Sequence, residues 1–111
     1  MNRLPNHQRA ILDVRKLGDY CLNPGHPRGR HKARVFRNAL GIERGEAAWL
    51  RSKLLEGVGS AEAAPLSSDS PGNRWRIDVP VTRQNKQVVI SSIWMVRTGE
   101  DIPRFVTCWV L

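Results

Sequence analysis

The chain lacks most of what would make its function quick to read. No apolar run approaches the ~20 residues of a membrane-spanning helix, and the opening MNRLPNHQRAILDVRK has no apolar h-region. Both absences predict a protein of the cytoplasm, without an export signal of its own and without a membrane partner. Cysteine is scarce. Cys21 and Cys108 show neither CxxC nor Cys/His ligand spacing, so they build no disulfide framework and are expected as buried free thiols. The three histidines and scattered carboxylates form no HExxH. GxGxxG, a Walker loop and a recognisable Ser or Cys nucleophile motif are all missing. No metal and no cofactor is called for. One further absence is local: from Asn23 to Gly41 there is not one carboxylate.

What is there is positive charge, unevenly spread. The net charge is +8 over 111 residues. Residues 1–57 carry twelve Lys/Arg against five Asp/Glu, and residues 58–111 carry six against five. A basic half of this kind suits a polyanion, because neutralised phosphates release condensed counterions. An acidic protein would use the same surface. The acid-free stretch NPGHPRGRHKARVFRNALG is the centre of it, with His26, His31, Arg28, Arg30, Lys32, Arg34 and Arg37.

The length suits one domain over residues 1–111. Residues 1–9 read as a tail. Ala10–Val14 reads as a short strand or a helix start, and Val14, Leu17, Tyr20 and Cys21 recur at helical spacing behind an Asp13 cap. Asn23-Pro24 stops that helix, since the residue before proline is pushed out of the α region. A second helix is predicted from about Arg30 to Leu40, closed by Gly41. Its apolar arc holds Ala33, Val35, Phe36, Ala39 and Leu40, and Lys32 falls inside that arc. Either Lys32 snorkels past the end of the core, or it points into a cleft. A third helix is predicted near Glu43–Gly57, with Ala47, Leu50, Leu54 and Val58 inward. Residues 59–73, small and Pro/Ser-rich, read as a flexible internal loop.

The remainder reads as strand. Trp75, Ile77, Val79 and Val81 alternate with Arg74, Arg76, Asp78 and Thr82. VVISSIWMVR and RFVTCWVL follow after short turns, which implies an antiparallel meander. Both faces of the last strand are apolar, which predicts a central position for it. The four tryptophans read mostly as core. The fold class is α+β: N-terminal helices packed on a C-terminal antiparallel sheet of three strands, or four if residues 10–14 add one.

A basic site without metal ligands can still cleave RNA through the substrate's own 2′-hydroxyl. That reaction needs a base, a cation for the phosphorane charge and an acid for the leaving oxygen. Histidine serves as base or acid, and Lys or Arg supplies the electrostatic part. His31 and Arg34 form an i, i+3 pair, Lys32 starts the same turn, and His26 lies in the loop before it. Arg28, Arg30, Arg34, Arg97 and Arg104 are candidates to hold phosphate. Thr107, on the last strand, is a candidate hydrogen-bond donor.

The segments LDVRKLGDYCLNPGHPRGRHKARVFRNALGI and WMVRTGEDIPRFVTCWVL resemble a family of small bacterial proteins classed as a domain of unknown function. Its pattern is RKLxDYxLNPxHPxGxHKAxxF…LG, closing with WxVRxGxDxPRLVTCYV. Trp109 stands where that pattern has Tyr. The family is in turn similar, remotely, to polymorphic-toxin domains of the barnase–EndoU–colicin–RelE class of metal-independent ribonucleases. The resemblance implies a toxin acting on RNA and held by a small acidic antitoxin or immunity protein. It carries His26, Arg28, His31, Lys32, Arg34 and Thr107 forward as site residues. A non-catalytic basic module, binding nucleic acid or an acidic protein, is the alternative reading.

Overall fold

Asp13 caps the first helix. Its carboxylate accepts from the Arg15 backbone N–H at 2.9 Å, and the Arg15 guanidinium beside it holds the Asp13 pKa down at about 2. The helix α1, Val14–Lys16, does not continue as an α-helix. It widens into a π-helical turn over Leu17–Cys21, closed by a bond from the Leu22 N–H to the Leu17 carbonyl at 2.8 Å. Leu17 and Cys21 are buried on its inner side, and Tyr20 is half-buried. The Asn23 side chain then accepts from the Gly25 N–H at 2.9 Å, turning the chain before the second helix. The computed structural model describes residues 2–66 and 68–111.

Helix α2 is Arg30–Leu40, and Gly41 ends it in the left-handed region at φ 67. Its buried arc is narrower than the sequence predicts: Ala33, Phe36 and Leu40 are inside, while Val35 is 44% exposed. Burying Phe36 alone is worth about 1.5–3 kcal/mol. A 3₁₀ turn at Arg44–Glu46, locked by a reciprocal capping box between Glu43 and Glu46, leads into α3, Ala47–Ser60. Ala47, Leu50, Leu54 and Val58 of α3 are buried, as the pattern predicts. At Gly57 the helix lies directly on the sheet, so close that a Cβ there would overlap the Val79 side chain.

The sheet is a four-stranded antiparallel meander in the order β1-β2-β3-β4. Its strands are β1 (Ala63–Pro65), β2 (Gly72–Arg83), β3 (Lys86–Arg97) and β4 (Arg104–Val110). The helices cover one face, where Ile77, Val79, Val81, Ile90, Trp94, Phe105 and Cys108 share one core with the inner residues of α2 and α3. The arrangement is α+β, helices first.

Several local expectations change. The fourth strand is Ala63–Pro65, inside the stretch that reads as a loop, and α3 runs on into that stretch as far as Ser60. Small residues suit β1 because Ala63 is buried against the sheet edge. Residues 10–14 add a single parallel bridge, Ile11 to Arg104, not a strand. The expected tail is packed: Leu4 is buried, the Asn2 carbonyl accepts from the Ala63 N–H at 2.7 Å, and Arg3 donates to the Gly59 carbonyl. One leucine in nine polar-looking residues was too faint a signal for this. Trp94 is fully buried, but Trp49, Trp75 and Trp109 are half-buried.

Strand β4 lies at the sheet edge, not in its centre. Its apolar look on both faces comes from a β-bulge. Trp94 pairs with Phe105 and Ile93 with Thr107, which leaves Val106 unmatched. Phe105 and Cys108 are both buried although they stand three apart, an odd spacing that simple alternation forbids and a bulge permits. The edge itself is partly closed by the N-terminal segment. Ile11 accepts from the Phe105 N–H, and the Lys16 ammonium donates to the Phe105 carbonyl, both at 2.9 Å.

Candidate anion site at the edge of the sheet

Lys32 does not trail past the core. Its ammonium reaches across from α2 to β4 and donates to the Thr107 hydroxyl at 2.7 Å. The same nitrogen lies 3.5 Å from the Tyr20 hydroxyl and 5.0 Å from the centre of the Tyr20 ring. His26 packs against that ring at a tilt, with ring centroids 4.7 Å apart. Four side chains from the π-turn, the Pro/Gly loop, α2 and β4 therefore meet at one place. No carboxylate forms an ion pair with Lys32 among the described residues. The half-buried ammonium is held by two hydroxyls and the face of a ring.

Gly29 makes this meeting possible. A Cβ at Gly29 would collide with the Tyr20 carbonyl, so only glycine lets the start of α2 lie against the π-turn. His26 fixes the same junction from the other side. Its Nδ1 accepts from the backbone N–H groups of Arg28 and Gly29, each at 3.0 Å. It thus does the work of a helix N-cap that Gly29 itself does not provide. With Nδ1 engaged as acceptor, Nε2 is the nitrogen that carries the proton of the neutral ring.

Beneath the cluster the two cysteines come together. The Cys21 sulfur is 3.9 Å from the Thr107 hydroxyl. A hydrogen bond from the Cys108 thiol lowers the Cys21 pKa to about 7, with Thr107 and Lys32 acting in the same direction against burial. The same contact, together with burial, pushes Cys108 up.

The sequence-predicted residues divide into four groups. Lys32, Thr107 and His26 are brought together. His31 stands on the outer, solvent side of α2 and Arg28 is exposed in the loop; neither touches the cluster through a side-chain hydrogen bond. Arg30 and Arg34 lie on the other flank of α2, together lining a separate groove. Arg97 is exposed at the end of β3, and Arg104 is paired with Glu100 at 3.3 Å across the β3–β4 turn. Tyr20 is the site residue that sequence reasoning missed, because at helical spacing it counts as one more core position. Lys16, one turn before Tyr20, was missed with it. Their i, i+4 spacing was the available signal. Among the described residues, no group of three or more His, Cys, Asp or Glu comes together. No described helix is long and apolar enough to cross a membrane.

A basic cluster on the edge strand of a helix-then-sheet α+β fold characterises this molecule. Residues 3–111 match the model of a family described as a domain of unknown function (DUF6883), and the chain belongs to that family. A search of curated proteins gave no match.

Proposed function

We propose that the cluster around Lys32 binds an RNA phosphate and promotes its metal-independent cleavage, as the toxin component of a bacterial toxin–antitoxin or polymorphic toxin system. One observation carries the reading: the Lys32 ammonium, with no acid beside it, is aimed at the Thr107 hydroxyl at 2.7 Å. A phosphate oxygen in that position would receive a charge-assisted bond from Lys32 and a second bond from Thr107, worth most where charge builds up in the phosphorane. The Tyr20 hydroxyl and the His26 Nε2–H would orient the neighbouring oxygens. Under this reading the Tyr20 hydroxyl, and His31 only if the substrate wraps to the solvent side of α2, would exchange protons with substrate. Arg28 would hold the adjoining phosphate. The natural check on such an activity is a small acidic protein.

The test is cleavage of tRNA, mRNA and rRNA by purified protein with EDTA present. Wild type should cleave at least one of them, and Lys32→Ala and Thr107→Val should each reduce the rate. No cleavage of any by wild type, with full tolerance of its expression in cells, would sink the catalytic reading.

The His26 geometry favours a second reading. An imidazole whose Nδ1 is occupied by two backbone donors is built in as a cap, which suits a binding module without chemistry. That reading predicts RNA affinity falling steeply with salt, no product, and no greater loss from histidine than from arginine substitutions.

A further inference from the structure

We infer that the groove on the opposite flank of α2 from Lys32 is a docking site for an acidic protein segment carrying an aliphatic side chain between carboxylates. The groove has a cavity volume of about 470 Å³. Its floor is apolar, with Leu22, Ala33 and Ile42 all nearly inaccessible to water. Its walls are guanidinium groups. Arg44 is fixed there by bonds to the Gly18 carbonyl at 2.8 Å and the Asp19 carboxylate at 2.9 Å. Arg30 and Arg34 make no ion pair among the described residues.

This arrangement is costly in the free protein. Arg30 and Arg34 repel at i, i+4, while Arg37, three residues further on, is already paired with Glu43 at 3.8 Å. Arg30 also sits in the first turn, where the helix dipole prefers acids and α2 has none. A ligand bearing carboxylates relieves both. Carboxylates match the planar guanidinium fork, and the apolar floor requires an apolar group between them. A nucleic-acid backbone has no such group, the lining has no aromatic ring on which a base would stack, and Glu43 on the rim opposes a continuous run of phosphates. The inference does not rest on RNA cleavage: Lys32 is outside the groove, and the readout is binding.

The test is an NMR titration of the isotopically labelled full chain. The probes are an acetylated pentapeptide of alternating glutamate and leucine, acetylated pentaglutamate, and oligouridylate, each to ~1 mM. The Glu/Leu peptide should shift the amides of Leu22, Ala33 and Ile42. Its affinity should fall about tenfold or more in the Arg30→Gln/Arg34→Gln double variant and stay unchanged in Lys32→Ala. Arg34→Lys, which keeps the charge and loses the fork, should fall between. The inference is overturned if the peptide shifts nothing at ~1 mM, if pentaglutamate binds equally well, if Lys32→Ala weakens binding as much as the arginine pair, or if oligouridylate occupies the same amides more tightly. Loss of cleavage in Lys32→Ala with peptide binding intact separates this site from the one at the sheet edge.

Discussion

Lys32 and Thr107 stand 75 residues apart in sequence and 2.7 Å apart in space, and no other hydrogen bond or ion pair joins a side chain of α2 to a side chain of β4 among the described residues. The bond is charge-assisted but only partly buried. Thr107→Val keeps the shape and removes the oxygen. It should cost about 1 kcal/mol of stability, below the range for a buried bond to a charged group because solvent screens it. Urea unfolding reads that figure. Under the proposed chemistry RNA cleavage should fall much further, about 10²-fold, so a loss of stability without a loss of rate would place Thr107 outside the reaction.

Gly29→Ala should destabilise by about 1–3 kcal/mol, the range for forcing atoms into a filled site. The obstacle is the Tyr20 carbonyl, which is backbone and cannot swing aside. The same variant should loosen the Lys32–Tyr20 contact. Thermal melting checks the first effect, and the Tyr20 ring resonances the second. A variant as stable as wild type would mean that the π-turn and α2 are not held together as described.

Arg83 is a C-cap supplied from the sheet. Its guanidinium donates to the carbonyls of Leu40 and Gly41 at 3.0 and 2.9 Å and lies 5.5 Å from the Trp49 ring. Arg83→Ala leaves two helix-end carbonyls without that donor and should cost about 1–2 kcal/mol. Arg83→Lys should recover only part, since one ammonium cannot hold both the two carbonyls, which share Nη1, and the Glu46 carboxylate 3.8 Å from Nη2. Chemical denaturation of the three proteins decides it.

Acid should weaken the fold through particular aspartates. Asp13, Asp69 and Asp78 are each held below the usual carboxylate range, first of all by hydrogen bonds from Arg15, Arg74 and Arg76 respectively. A depressed folded-state pKa means that their stabilisation is complete above the unfolded value near 4. It is lost as pH falls through the folded value, about 2 for Asp13. Melting temperature should therefore be level on the neutral side and drop between about pH 4 and pH 2. Asp78→Asn should flatten part of that drop, and a melting curve against pH for the two proteins would show it.

The sequence carried the large elements because their signals are periodic. The second helix, the long alternating strand and the order of helices before sheet all follow from spacing. It also singled out Lys32, since a lysine inside an apolar arc is visible on a helical wheel. It named Thr107 as a site residue as well, but not its contact with Lys32, and it did not name Tyr20 among the site residues. Thr107 and Tyr20 come to Lys32 through a bulge and a π-turn, each of which adds one residue to a regular period, and no period reveals its own interruption. The same interruption made β4 look central: with Phe105 and Cys108 both inward, each face appears apolar. The weak ends were misread for a simpler reason. Leu4 and Ala63 are buried by contacts with distant residues, and neither sits in a pattern.

The bonds that Ile11 and Lys16 make with Phe105 have a consequence for assembly. A sheet edge normally invites another chain to extend it. Here both backbone groups of Phe105 are already spent, so a newcomer strand finds partners only from Thr107 onward. A strand that lengthened this sheet at β4 would have to displace the N-terminal segment from Phe105 or confine itself to the last few residues of β4, so the first sixteen residues of the chain protect this edge from polymerisation.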